Sequence, residues 1–353
     1  MNTETVVIDE VSSKEAKEIF KRAGRIIKQG GLVAFPTETV YGLGGDALNK
    51  EASAKIYAAK GRPSDNPLIV HIADIDNLYK ITTQVSDEAL KLAQAFWPGP
   101  LTMIFPKGEA VPYATTGGLD TVAVRMPDNE TALAFIREAG GYIAAPSANL
   151  SGRPSPTTAA HVAEDMNGRI DMIIDSGACR IGLESTIVDL TGDMPMILRP
   201  GYISLKMLSE VVGEVLIDPA IIGPMDENAH PKAPGMKYRH YAPKGLLTIV
   251  SGKDDKVKEY ISRCIEEGHK LNKRIGVIAD SESQEAYRAA DYCADAGKAD
   301  DEIEISSRLY GLLRGCDENN IDLIYSEEFD TPQLGMAIMN RLMKAAGHTV
   351  VKV

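Results

Sequence analysis

The sequence predicts an α/β protein in two parts, and three observations carry that reading. Short apolar runs of strand length alternate with stretches whose apolar residues recur at helical spacing. Between residues 214 and 243 the alternation stops, and Pro219, Pro224, Pro231, Pro234 and Pro243 stand where a periodic pattern would be. At 353 residues the chain is also longer than one ordinary domain. The predicted organisation is a first domain over 1–213, a stiffened linker over 214–243, and a smaller second domain over 244–353.

The elements follow in order. Ser13 to Gln29 spaces Ala16, Ile19, Phe20, Ala23, Ile26 and Ile27 as one helical face, and Gly30-Gly31 ends it. Leu32 to Phe35 reads as a short buried strand stopped by Pro36. A helix over Ala52 to Lys60 delivers Lys60 and Arg62 at its C-terminal end, before a strand over Leu68 to Ile72. Glu88 to Phe96 reads as a helix broken at Trp97-Pro98-Gly99-Pro100. Strands are predicted over Leu101–Phe105, Thr121–Arg125, Gly141–Ala145, Asp171–Asp175, Ser185–Leu190 and Met196–Arg199. After Lys244, strands over Leu246–Val250, Arg274–Ala279 and Ile321–Tyr325 alternate with helices over Asp255–Glu267, Ile303–Arg314 and Leu334–Ala346. That repetition predicts a small parallel, Rossmann-like sheet. No Gly-x-Gly-x-x-Gly follows its first strand, so nothing there calls for a nucleotide.

Composition narrows the function classes. Apolar content of 44% and charged content of 25% are those of an ordinary globular protein. A net charge of -12 argues against a protein that mainly coats nucleic acid. Cys179, Cys264, Cys293 and Cys316 are scattered with no Cys-x-x-Cys pair, which predicts free thiols and no zinc knuckle. The polar start Met1-Asn2-Thr3-Glu4-Thr5 and the lack of a run of about 18 apolar residues predict no signal peptide, no membrane contact and a cytoplasmic location.

Lys60, Arg62, Arg125, Arg153 and Arg199 lie near Gly- and Ser-rich loops, and Arg125 and Arg199 end strands, where α/β proteins collect ligands. Arg recognises fixed oxyanions with a fork, whereas Lys acts as a mobile point charge. With no Gly-x-x-x-x-Gly-Lys-Ser/Thr, phosphates would be held by side-chain cations and by hydroxyls such as Thr37, Thr39, Thr121, Ser147, Ser151, Ser155 and Ser185. Taken alone, Ser151 and Ser155 read as turn or cap residues, and His71 as a core histidine held by backbone. Glu38 and Glu184 either position Mg²⁺ or pair with Arg. No Ser/His/Asp or Cys/His arrangement is visible, which suits nucleotidyl or phosphoryl transfer driven by positioning and electrostatics.

Lys60-x-Arg62 with Ser147-x-Asn149 resembles the signature pair of the YrdC-like threonylcarbamoyl-AMP synthases. Pro36-Thr37-Glu38-Thr39-Val40-Tyr41-Gly42-Leu43, Asn66-Pro67-Leu68, Trp97-Pro98-Gly99-Pro100-Leu101-Thr102, Val124-Arg125-Met126-Pro127, Glu184-Ser185-Thr186-Ile187-Val188 and Leu198-Arg199-Pro200-Gly201 extend the likeness over about residues 14–210. Pro234 to Pro243 looks like the linker of the family's longer, two-domain form.

The resemblance implies a twisted α/β sheet with a large concave groove, and a nucleotidyltransferase reaction. L-threonine, bicarbonate or CO2, and ATP with Mg²⁺ would give L-threonylcarbamoyladenylate and pyrophosphate, for N6-threonylcarbamoylation of the adenosine beside the tRNA anticodon. It implies that Thr39, His71, Arg125, Ala145 and Ser185 hold threonine. Arg62, Asn66, Thr121, Ser147, Asn149, Ser155 and Arg199 would hold ATP, with Lys60 and Arg62 as the catalytic cations. Asn149 would brace the Ser147 loop or touch the nucleotide. Lys237, Tyr238, His240 and Tyr241 would form a lid. No protein-held metal is expected, Mg²⁺ being carried by the ATP phosphates. The downstream partner would be a tRNA threonylcarbamoyl-transferase machinery, with weak RNA binding a secondary expectation. The rival readings are a non-catalytic RNA-binding or ribosome-assembly factor and a nucleotide-sensing regulator.

Overall fold

The computed structural model describes residues 2–221 and 240–353. The chain divides into two compact units. Of the described residues, 2–151, 155–180 and 184–221 form the first, and 152–154, 181–183 and 240–353 the second.

The first unit carries strands β1 (Glu4–Val7), β2 (Val33–Phe35), β3 (Gly42–Asp46), β4 (Ile69–His71), β5 (Leu101–Pro106), β6 (Thr121–Arg125), β7 (Ile143–Ala144), β8 (Met172–Asp175), β9 (Thr186–Asp189), β10 (Met196–Arg199) and β11 (Leu216–Ile217). They form one 11-stranded mixed sheet in the order β1-β8-β2-β3-β7-β4-β6-β5-β9-β10-β11. Its helices are α1 (Lys14–Lys28), α2 (Lys50–Lys60), α3 (Leu78–Ile81), α4 (Asp87–Phe96), α5 (Tyr113–Thr116), α6 (Glu130–Glu138), α7 (Ala159–Met166) and α8 (Leu205–Val212). Local chemistry starts and stops them. The Ser13 hydroxyl accepts from the Ala16 N–H at 3.0 Å to cap α1. Gly61 takes the left-handed conformation, φ 61°, that closes α2 and turns the chain toward Arg62.

Strand alternation splits the first unit's core. On β8, Met172 and Ile174 join a cluster with Phe20, Ala23 and Ile27 of α1 and Phe135 and Ile136 of α6. Ile173 between them points the other way, into a second cluster with Ile56, Leu92, Val162 and Leu208. A small third cluster, Ile69, Ile104, Ala123, Ile187 and Leu198, comes from alternate positions of the central strands. The same parity places His71, Arg125 and Thr102 on the face of that third cluster.

The second unit is a five-stranded parallel sheet in the order β14-β13-β15-β12-β16. The strands are β12 (Leu246–Ser251), β13 (Ile275–Ala279), β14 (Tyr292–Asp295), β15 (Leu323–Glu327) and β16 (Val350–Lys352). Its helices are α9 (Asp254–Lys270), α10 (Glu302–Glu318) and α11 (Gly335–Ala345). Within it, the buried Arg314 of α10 donates to the Pro154 carbonyl at 2.7 Å. Among the described residues no helix is long and apolar enough to cross a membrane.

Candidate functional site

Register builds the centre of the site. His71 of β4 is paired with Arg125 of β6, and Arg125 with Thr102 of β5. Three polar side chains therefore stand in one row across the sheet, on strands that are otherwise apolar except for Thr121 at the start of β6. All three are buried, at 4%, 4% and 0% exposure. That burial excludes casual surface polarity, because a buried polar group without partners is costly.

Arg125 is held from several sides. Its Nη1 donates to Thr39 Oγ1 at 2.8 Å, and its Nε donates to the Gly99 carbonyl at 3.3 Å. Its Nη2 lies 2.7 Å from Glu38 Oε2. Neither of those two atoms makes a hydrogen bond of acceptable geometry among the described residues, so this contact acts through charge more than direction. Of the two roles read for Glu38, the arginine pair is present here.

Thr39 belongs to a hydroxyl relay. Thr37 Oγ1 donates to the Val40 carbonyl at 2.7 Å and lies 2.8 Å from Thr39 Oγ1. A hydroxyl has one proton, and that of Thr37 is committed to Val40. Thr39 therefore donates to Thr37, accepts from Arg125, and keeps a lone pair that can only accept from a further donor. Ser185 Oγ sits 2.7 Å from Thr102 Oγ1. Arg199 donates from Nε to the Ser185 carbonyl at 3.1 Å and from Nη2 to Ser185 Oγ at 3.2 Å. Ser155 donates to Glu184 at 2.6 Å. The Ala145 N–H is committed to the Ile69 carbonyl at 2.9 Å, and its methyl lies in the core.

The two signature segments meet at Lys60. Its ammonium donates to the Ser147 carbonyl at 2.5 Å and the Asn149 carbonyl at 2.6 Å, and lies 3.3 Å from Asn149 Oδ1. Ser147 Oγ donates to Asn149 Oδ1 at 2.5 Å, and Asn149 Nδ2 donates to the Leu150 carbonyl at 2.8 Å. Both polar ends of the Asn149 amide thus brace the loop. Arg62 donates from Nη2 to the Asn66 and Pro67 carbonyls at 3.1 Å each. The Asn66 side chain is fully buried, yet neither of its polar atoms has a hydrogen-bond partner among the described residues. An amide left so is suited to a ligand, since native interiors seldom leave such atoms unsatisfied. Thr121 opens β6, four residues and roughly 13 Å along the strand from Arg125 and on the same face.

Protonation is set by burial. Burial, and then the Arg125 charge, push the His71 imidazole down to about 3, so it is neutral at physiological pH. Its Nδ1 lies 3.2 Å from the Ile69 carbonyl, and its ring meets Phe35 edge-on at 6.0 Å. Burial pushes the Cys179 thiol up to about 12, which disfavours its thiolate form. Among the described residues no group of His, Cys, Asp and Glu is placed to hold a metal ion.

Lys237 and Tyr238 of the expected lid lie outside the described residues. His240 and Tyr241 belong to the second unit, where the Tyr241 ring stacks on Tyr310 at 5.2 Å. Thr102 had not been assigned a role from sequence. Its signal was there, because a threonine at the second position of an otherwise apolar strand points to the face that strand shares with its neighbour's arginine.

A family model described as telomere recombination matches residues 25–201, and one described as threonylcarbamoyl-AMP synthase, C-terminal domain, matches residues 203–347. The threonylcarbamoyl-AMP synthase of Pyrococcus abyssi is 47% identical over 351 residues, 99% of this chain and 100% of that protein. The chain belongs to the threonylcarbamoyl-AMP synthase family. The Bacillus subtilis synthase is also 47% identical, over 98% of this chain and 97% of its own. The crystal structure of P. abyssi Sua5 complexed with L-threonine superposes with a TM-score of 0.93 at 47% identity, covering 99% of this chain and 100% of that one. The family's two-domain form accounts for both units found here.

Proposed function

We propose that this chain condenses L-threonine, bicarbonate or CO2, and ATP into L-threonylcarbamoyladenylate and pyrophosphate, for N6-threonylcarbamoylation of tRNA adenosine beside the anticodon. The observation that carries this reading is the buried Arg125, aligned between His71 and Thr102 with its guanidinium anchored on Thr39 and Gly99. It is a fixed cation for one small carboxylate, placed beside hydroxyls that can sort a side chain.

Arg125 takes the threonine carboxylate. Thr39 offers its remaining lone pair to the threonine ammonium or hydroxyl. Neutral His71 can meet the threonine side chain without adding charge. Arg199, through its bonds to Ser185, joins the threonine side of the site to the ATP side. Arg62, Asn66, Thr121, Ser147 and Ser155 receive the nucleotide, and the buried Asn66 amide, without a hydrogen-bond partner among the described residues, is the group best suited to bond to it. Mg²⁺ would be carried mainly by the triphosphate oxygens and would supply charge neutralisation there.

The chemistry needs no protein nucleophile. The threonine amine, after losing a proton, forms a bond from nitrogen to the carbon of CO2, and a second nitrogen proton leaves to give the carbamate. A carbamate oxygen then bonds to the α-phosphorus as the bond to the bridging oxygen breaks and pyrophosphate departs. Two anions must approach, so cations that suppress their repulsion lower the barrier. The test is pyrophosphate release from ATP, Mg²⁺ and bicarbonate, with and without L-threonine, in wild type and Arg62→Ala. Release that requires threonine and bicarbonate and collapses in the variant supports the reading. Folded protein without threonine-dependent release overturns it.

A further inference from the structure

We propose that Glu38 is a positioning residue for the amino-acid carboxylate, which it serves by fixing and charge-balancing Arg125. The inference rests on the reading in which Arg125 receives that carboxylate. Both side chains are almost wholly buried, at 2% and 4% exposure, with 2.7 Å between Glu38 Oε2 and Arg125 Nη2. A guanidinium carries five N–H donors. Thr39 and Gly99 take one each, so donors remain for an incoming carboxylate while Glu38 holds the charge in place.

Charge balance gives Glu38 a second effect, on selectivity. A lone buried guanidinium would attract any anion, orthophosphate and chloride included. Paired with Glu38, it forms a neutral unit that offers adjacent positive and negative ends. An α-amino acid zwitterion is also neutral and carries the opposite ends side by side. Pairing therefore favours the amino acid over simple anions and over 2-hydroxy acids, which lack the ammonium. The hydroxyl relay from Arg125 through Thr39 and Thr37 to the Val40 carbonyl keeps the guanidinium plane from turning when the substrate leaves.

The experiment is threonine-dependent pyrophosphate release by the full-length chain as Glu38→Gln and Glu38→Asp, with thermal melting and ATP binding followed in parallel. E38Q is expected to raise the KM for L-threonine roughly tenfold or more while leaving the KM for ATP within about twofold. It should also gain inhibition by orthophosphate and chloride at concentrations that leave wild type untouched. E38D keeps the charge, and should show a smaller rise in threonine KM without anion sensitivity. A folded E38Q with an unchanged threonine KM, or with an ATP KM that rises as much as the threonine KM, overturns the proposal. If E38Q does not fold, an E38D threonine KM equal to wild type overturns it. Wild type without threonine-dependent release overturns instead the functional reading beneath it, so the two failures are told apart.

Discussion

Lys60, the last residue of α2, holds the Ser147 and Asn149 carbonyls with one buried ammonium, at 2.5 and 2.6 Å. One buried charge therefore ties the two signature segments together, and the expected role of Lys60 at the phosphates has to operate from this position. Hydrogen bonds to a charged donor contribute about 1.5–3 kcal/mol each. Lys60→Met strands both carbonyls and frees the Ser147 loop. It should cost about 3 kcal/mol in unfolding of the first unit, and lower kcat/KM for ATP on the order of a hundredfold through misplacement. Denaturant unfolding and pyrophosphate release check both. Full activity in a folded K60M would show that the brace is dispensable.

Arg125→Lys keeps the charge and removes the fork. A lysine ammonium cannot satisfy Thr39, Gly99 and Glu38 and also present two parallel donors to a carboxylate. The threonine KM should rise roughly ten- to a hundredfold with little change in the ATP KM, a loss of about 1.4–2.8 kcal/mol. Equal increases in both constants would place Arg125 on the nucleotide instead.

Much of this architecture was legible, and what escaped did so for physical reasons. The parallel second sheet followed from its apolar runs, although β14 and β16 are too short and mixed to stand out alone. β3 was missed because Gly42-Leu43-Gly44-Gly45-Asp46 has poor strand propensity. Its glycines answer to packing: a Cβ at Gly44 would lie 2.9 Å from Ile143 Cγ2. β11 falls inside the proline-rich stretch and is a strand only because β10 supplies its partner. α6 had a readable start in Asn129, whose side chain accepts from the Ala132 N–H at 2.9 Å, and was not predicted. For the site, residue types drew attention to loops that the fold brings together, Lys60 with Ser147 and Asn149 among them. Whether Glu38 meets a metal or an arginine depends on a contact between distant parts of the chain, which no local pattern encodes.

His71 makes stability depend on pH with a definite sign. Its folded pKa is lowered to about 3 from an ordinary 6.5, so the unfolded chain binds the proton that the folded chain refuses. Its contribution is complete above 6.5 and is lost progressively as pH falls from there toward 3. Between pH 7.5 and 5.5 the loss is about 1.4 kcal/mol. Urea unfolding at those two pH values should show this difference in wild type and a smaller one in His71→Gln. The same acid loss in both proteins would assign it to other groups.

Gly201 supports the Ser185 loop through a close approach that only glycine allows. A Cβ there would stand 2.4 Å from the Thr186 nitrogen and 2.8 Å from the Glu184 oxygen, both main-chain atoms. Backbone cannot swing aside as a flexible side chain can, so Gly201→Ala must push the loop. That loop carries Ser185, which meets Thr102 at 2.7 Å and Arg199 at 3.2 Å, and small shifts would break both contacts. Overpacking of this kind costs about 1–3 kcal/mol, and the loss of activity should exceed what the stability change explains, because Ser185 and Arg199, proposed for threonine and for ATP, would move together. Thermal melting beside threonine and ATP KM values separates the two effects. A melting temperature and kinetics equal to wild type would mean that the main chain at Thr186 yields without disturbing Ser185.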